Sequence, residues 1–225
     1  MAARPGRKTS RIIADEADIR AGVRALKRAC PGMAKAHALT GDPPLRRWSS
    51  RFDGLARIVV GQQLSTASAA AIQARLKLAV DPLDAAGLLA ASDETLRAAG
   101  LSAGKIATLR AVAVAVAEGG LDFDRLIEAD EASVREQLTA IRGIGPWTAD
   151  IYLLFCKGDG DAFAPGDLAL QIGVQMLFDL PERPGADEIL AISERWRPWR
   201  GVAARLLWTY YAFDKQARRE KSAGR

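Results

Sequence analysis

The chain has 225 residues, of which 49% are hydrophobic and 26% charged, with a formal net charge of +5, two cysteines and one histidine. This is the composition of a globular chain with room for one large domain or two lobes, and it excludes a disordered one. It also excludes a membrane span, since no apolar run approaches the roughly 18 residues needed, and any metal or iron–sulfur site that needs four cysteines.

Residues 1–14 carry Arg4, Arg7, Lys8 and Arg11 and lack the apolar stretch of a signal peptide. They read as a basic flexible tail on a soluble, cytoplasmic protein. Alanine-rich amphipathic periodicity predicts helices at 15–30, 52–61, 65–80, 93–99, 102–118 and 131–141. Further helices are expected at 146–156, 167–178 and 198–215. Turn signals punctuate them at Pro31-Gly32, Gly41-Asp42-Pro43-Pro44, Gly119-Gly120, Gly158-Asp159-Gly160 and Pro165-Gly166. No segment alternates apolar and polar residues as a strand does, so the fold class is all-α. Residues 216–225, with Arg218, Arg219, Lys221 and Arg225, read as a second basic tail. Once the two ends are set aside the body is mildly acidic. A nucleic-acid partner must therefore be met by a local site and not by net charge.

Leu138-Thr-Ala-Ile-Arg-Gly-Ile-Gly-Pro-Trp-Thr-Ala-Asp150 offers a candidate, although its Gly-x-Gly by itself also suits a plain tight turn between helices. A helix, a break at Arg142-Gly143-Ile144-Gly145 and a second helix opened by Pro146 make a hairpin. Gly143 and Gly145 allow positive φ and close backbone approach, and Pro146 suits a first helical position. The hairpin's N–H groups and the positive end of the second helix form an anion site that needs no lysine, which suits a DNA phosphate. Cys30 and Cys156 read as buried structural thiols. His37 sits between proline and glycine turns with no nucleophile elbow near it, which argues against a Ser-His-Asp hydrolase. Asp167, after Pro165-Gly166 and before an apolar run, reads as a helix N-cap.

The hairpin resembles that of the helix-hairpin-helix DNA glycosylase superfamily. Phe163-Ala-Pro-Gly-Asp167, Arg195-Trp-Arg-Pro-Trp-Arg200 and Ala203-Ala-Arg-Leu-Leu-Trp208 extend the resemblance to its 3-methyladenine DNA glycosylase II branch. Val60-Gly-Gln-Gln-Leu-Ser65 and Gly100-Leu-Ser-Ala-Gly-Lys105 match two further elements in the family's order. The resemblance implies a two-lobed helical fold with the DNA and its base in the cleft between lobes. Residues 15–51 would pack with the C-terminal lobe, 52–160 would carry the hairpin, and 161–215 the catalytic aspartate. It also implies a monofunctional glycosylase that removes alkylated purines, 3-methyladenine first and 7-methylguanine with it, by base flipping in base excision repair.

On that resemblance Asp167 is the catalytic carboxylate, with Asp150 as its rival. Trp147 and Trp208 line the base pocket, while Trp196 and Trp199 pack the core; the family's further aromatics fall at Ile151 and Leu168. Gln63 and Leu64 form the wedge that fills the gap left by a flipped base. Gly143, Ile144 and Gly145 cradle phosphate, joined by Arg142, Ser102, Lys105 and Arg200. No cofactor and no iron–sulfur cluster are implied, although a monovalent cation at the hairpin fits the pattern. The expected partner is double-stranded DNA containing alkylated bases, met by a monomer at the bacterial nucleoid. Two alternatives stand beside this: a non-catalytic helix-hairpin-helix DNA-binding protein, and a glycosylase for uracil, mismatched or oxidised bases.

Overall fold

The computed structural model describes residues 11–223, with side chains described through Glu220; residues 1–10 and 224–225 lie outside the described residues. Most of the N-terminal basic tail therefore lies outside them as well.

Asp15 starts the first helix. Its carboxylate accepts the N–H groups of Ala17 and Asp18, and α1 (Glu16–Ala29) follows with acids in its first turn and Lys27 and Arg28 in its last. α2 (Pro31–Thr40) begins directly after, so the Pro31-Gly32 pair is a helix start and not a turn. Proline's fixed φ and missing N–H suit a first helical turn as well as they suit a loop. Next come α3 (Phe52–Gly61), α4 (Thr66–Ala79), α5 (Ala85–Ala90), α6 (Asp93–Ala98), α7 (Ala103–Ala117), α8 (Phe123–Glu128) and α9 (Glu131–Thr139). Ser65, Ser92, Ser102, Asp84, Asp122 and Asp130 cap six of these by accepting first-turn N–H groups. α10 (Pro146–Ile151) runs into a π-helical stretch at Tyr152–Lys157. α11 (Leu168–Phe178), α12 (Ala186–Ser193), a 3-10 turn at Glu194–Trp196 and α13 (Arg200–Ala223) complete the chain. The fold is all-α; among the described residues the one β-type pairing is a bridge between Ile12 and Asp159. No helix among them is long and apolar enough to cross a membrane.

Residues 11–14 and 216–223 depart from the tails expected there. Ile13 is fully buried, its N–H donates to the Gly158 carbonyl, and the Gly160 N–H donates to the Arg11 carbonyl. The Arg11 guanidinium lies 4.9 Å from the Trp199 ring centre. Residues 11–14 are thus tied down by an apolar side chain and two backbone bonds. At the other end α13 continues to Ala223, through residues 216–223 of the second tail.

The chain divides into two compact units, one of residues up to Arg46 together with those from Gly158 onward, the other Arg47–Lys157. The first has its core in Ile19, Val23 and Leu26 of α1, Met33 of α2, Leu170 and Val174 of α11, and Val202, Leu206 and Leu207 of α13. The second has its core in Leu55, Ile58, Val59 and Val60 of α3, Ile106, Leu109 and Val112 of α7, and Leu138 and Ile151 on either side of the hairpin. Each fully buried leucine or isoleucine contributes about 2 kcal/mol. Cys30 and Cys156 are buried in separate units, and burial pushes the Cys156 thiol well above its ordinary pKa.

Candidate active site

The hairpin lies in the unit of Arg47–Lys157, between α9 and α10. Ile144 is buried and anchors the loop, while Arg142 is exposed. Gly143 has φ +88°, and a Cβ there would lie 2.0 Å from Thr108 Oγ1. The position takes glycine on both counts. Gly145 differs from expectation: its φ is −98°, and it serves as the extended N-cap of α10 ahead of Pro146. Nothing lies within 4 Å of where its Cβ would stand, so the approach to the positive end of α10 is open.

Asp150, the rival carboxylate, is nearly buried and accepts a 2.7 Å bond from Arg135 Nε, whose guanidinium also bridges Glu131 at 2.7 Å. The pair clasps α9 to α10, and that accounts for Asp150 on structural grounds. Replacing Asp150 by asparagine should cost about 2 kcal/mol, less than a fully buried pair because Arg135 is partly exposed. Thermal unfolding should show the loss, while the activity of the folded fraction stays near the original.

The loop between α3 and α4 presents the other predicted pair. Gln63 takes a left-handed conformation with φ +57°, and both Gln63 and Leu64 are exposed. Ser65 then caps α4. Lys105 does not reach outward: its Nζ donates to the Val60 carbonyl at the end of α3, 2.8 Å away, and burial lowers its pKa. Ser102 accepts the Lys105 N–H as the cap of α7. Gln62, to which no role was given, donates from Nε2 to Thr148 Oγ1 at 2.9 Å.

Asp167 lies in the other unit. Its N–H is held by the Ala164 carbonyl, and it caps α11, with Oδ1 accepting the Leu170 N–H at 3.0 Å. The same oxygen accepts the indole N–H of Trp208 from α13, also at 3.0 Å. Asp167 is thus the cap of α11 and at the same time the acceptor that orients the Trp208 indole. Leu168 beside it is 53% exposed, whereas Ile151 is buried in its own unit at 4%. Arg200 departs from the phosphate contact expected of it. Its guanidinium is buried, donates to the Asp161 carbonyl and carboxylate and bridges Glu194 at 3.1 Å, so it is an internal ligand and not a phosphate contact. A buried cation must be paired, and Asp161 does this while fixing the start of the segment that leads to Asp167. Trp196 is buried against Phe163, and Trp199 is half-buried under Arg11.

Residues 56–198, well over half of the chain, match the family model described as HhH-GPD superfamily base excision DNA repair protein. The chain belongs to that superfamily. It is similar to a Schizosaccharomyces pombe 3-methyladenine DNA glycosylase solved in complex with abasic DNA, with a TM-score of 0.78 and 29% identity over 84% of this chain and 95% of that one. A DNA-3-methyladenine glycosidase from Bacillus halodurans gives a TM-score of 0.74 and 33% identity, covering 87% of this chain and 91% of its own. A Bacillus subtilis DNA-3-methyladenine glycosylase is 35% identical over 97 residues, 43% of this chain and 32% of the relative. The match thus spans about a third of that curated relative. Within this HhH-GPD chain the hairpin, Trp147 and the Gln63–Leu64 loop belong to one unit, and Asp167 and Trp208 to the other.

Proposed function

We propose that this HhH-GPD protein is a monofunctional DNA glycosylase that hydrolyses the N-glycosidic bond of alkylated purines in duplex DNA, 3-methyladenine first and 7-methylguanine with it. The observation that carries this reading is the Asp167 carboxylate, oriented through one oxygen by the Leu170 N–H and the Trp208 indole. Breaking the bond to the base leaves oxocarbenium character on the sugar. A negative charge already held in place stabilises that charge as it develops, without reorganising at the moment of reaction. Water then adds at C1′ and its proton goes to solvent, leaving an intact strand with an abasic site. Ring-nitrogen alkylation makes the purine cationic, and the faces of Trp147 and Trp208 attract such a cation through their quadrupoles. The names of the similar proteins support 3-methyladenine as the base.

In this scheme the hairpin from Gly143 to Gly145, with Arg142 and the Ser102 end of α7, holds phosphates, and Gln63 and Leu64 replace the displaced base. The protein works as a cytoplasmic monomer at the nucleoid and needs no cofactor; a monovalent cation, where bound, would sit at the hairpin. A lysine nucleophile has no place in it. The position two residues after Gly145 is Trp147, whose indole is only a donor, and Lys157 is buried with its ammonium on the Ile127 and Ala129 carbonyls.

The test is a set of duplexes, each with one lesion, scored for alkali-sensitive abasic sites. Release of alkylated purines, with no protein–DNA adduct trapped by borohydride during turnover, is the expected result. Binding without abasic sites on any duplex would make the chain a non-catalytic DNA-binding protein. Release of uracil, mismatched thymine or oxidised bases alone would move the substrate.

A further inference from the structure

The exposed loop between α3 and α4 adopts a conformation that it cannot hold cheaply by itself. Gln63 has φ +57°, a left-handed backbone that a residue with a Cβ disfavours. The loop's own backbone bonds, Gln62 N–H to the Val59 carbonyl and Leu64 N–H to the Gly61 carbonyl, are both long at 3.3 Å. Two side-chain bonds tie it to neighbouring helices. Lys105 from α7 donates to the Val60 carbonyl in the last turn of α3, where a helix leaves carbonyls unpaired. Gln62 reaches in the other direction, to the buried hydroxyl of Thr148. Thr148 sits in the first turn of α10, three residues after Gly145 and next to Trp147. All of these residues belong to the unit of Arg47–Lys157.

We infer that Gln62 is a positioning residue: its bond to Thr148 fixes the Gln63–Leu64 wedge to the hairpin helix, so that a duplex gripped at the hairpin meets the wedge in one register. This rests on the wedge and phosphate roles proposed above. Thr148 carries the hydroxyl of α10 that the Gln62 amide reaches, and at 1% exposed its end of the clasp is shielded from water, while Gln62 is half-buried. Lys105 holds the α3 end of the same loop, whereas Gln62 links the loop to the hairpin helix.

A wedge matters when a base must be pushed out of a paired stack, and matters little when the lesion is already unpaired. Single-turnover release is therefore compared on one lesion in a matched pair and on the same lesion in an unpaired bulge. Gln62→Ala and Thr148→Val should each slow release from the paired lesion about tenfold, the scale of one lost hydrogen bond, with the bulge rate within about twofold of the original. Thr148→Ser, which keeps the hydroxyl, should behave as the unmodified protein. Equal slowing on both substrates, or none on either, overturns the proposal. A second readout does not depend on base release: 2-aminopurine fluorescence in an undamaged duplex, which rises when the wedge unstacks it. Gln62→Ala should lower that rise at saturating protein. If the rise is lost in the variant but no base is ever released, the clasp stands and the glycosylase reading falls. An unchanged rise overturns the clasp whatever the chemistry. Thermal midpoints of the three variants within a few degrees of the original establish that all are folded.

Discussion

Asp167→Asn should abolish base release, by at least about three orders of magnitude, while damaged-duplex binding stays within about tenfold of the original. The local geometry makes this substitution an unusually clean one. Two donors, the Leu170 N–H and the Trp208 indole, converge on Asp167 Oδ1 at 3.0 Å. An asparagine Oδ1 accepts both in the same place, so the α11 cap and the tryptophan orientation survive. What disappears is the negative charge. Asp167→Ala is less informative, because it removes the cap, worth about 1 kcal/mol, and leaves a half-buried indole N–H without its acceptor. The decisive measurement is single-turnover release beside an equilibrium titration with the same lesion duplex. Near-original release by Asp167→Asn would remove the carboxylate from the chemistry. Asp150 would then be the next carboxylate to test, although its bond to Arg135 gives it a structural occupation.

What the sequence made legible follows the range of the interactions involved. The helices with long periodic faces and a serine or aspartate cap lie close to their expected spans, since both signals fall within one or two turns of chain. α5 and α8, six residues each, show too little periodicity to be distinguished from loops. α2 was hidden behind a proline–glycine pair that serves turns and helix starts alike. The charged residues were hardest to place. The sequence shows that Arg200 and Lys105 are cations but not which way they point. Their partners, Asp161 and the Val60 carbonyl, lie 39 and 45 residues away. Gln62 went without a role for the same reason, with Thr148 86 residues off. Asp167 was legible twice over, as a cap from its neighbours and as a catalytic carboxylate from its resemblance. Its bond to Trp208, 41 residues away, arises only in the fold.

Gly143 and Gly145 looked equivalent in the sequence, and the structure separates them into opposite predictions. Gly143→Ala forces a Cβ into positive φ and to within 2.0 Å of Thr108 Oγ1. The backbone penalty of about 1 kcal/mol and the overlap together should cost at least about 3 kcal/mol, a fall of roughly 10 °C in Tm for a chain of this size. Adding Thr108→Ala should recover part of this, because it removes the hydroxyl and methyl but not the Cβ that the new methyl also meets. Gly145→Ala has no such neighbour: nothing lies within 4 Å of the added Cβ, and its φ of −98° is open to any residue. Its Tm should stay within about 2 °C. The methyl would instead stand where the backbone approaches phosphate, so affinity should fall about threefold to tenfold. The loss should be equal for lesion and undamaged duplexes, since phosphate contacts carry no base information. Calorimetry and titrations on both duplexes separate the two glycines. A Tm loss at Gly145, or a binding loss confined to the lesion duplex, would mean that the hairpin is not a phosphate cradle. If both expectations hold, Gly143 shapes the hairpin by what packs behind it, and Gly145 by what it leaves open in front.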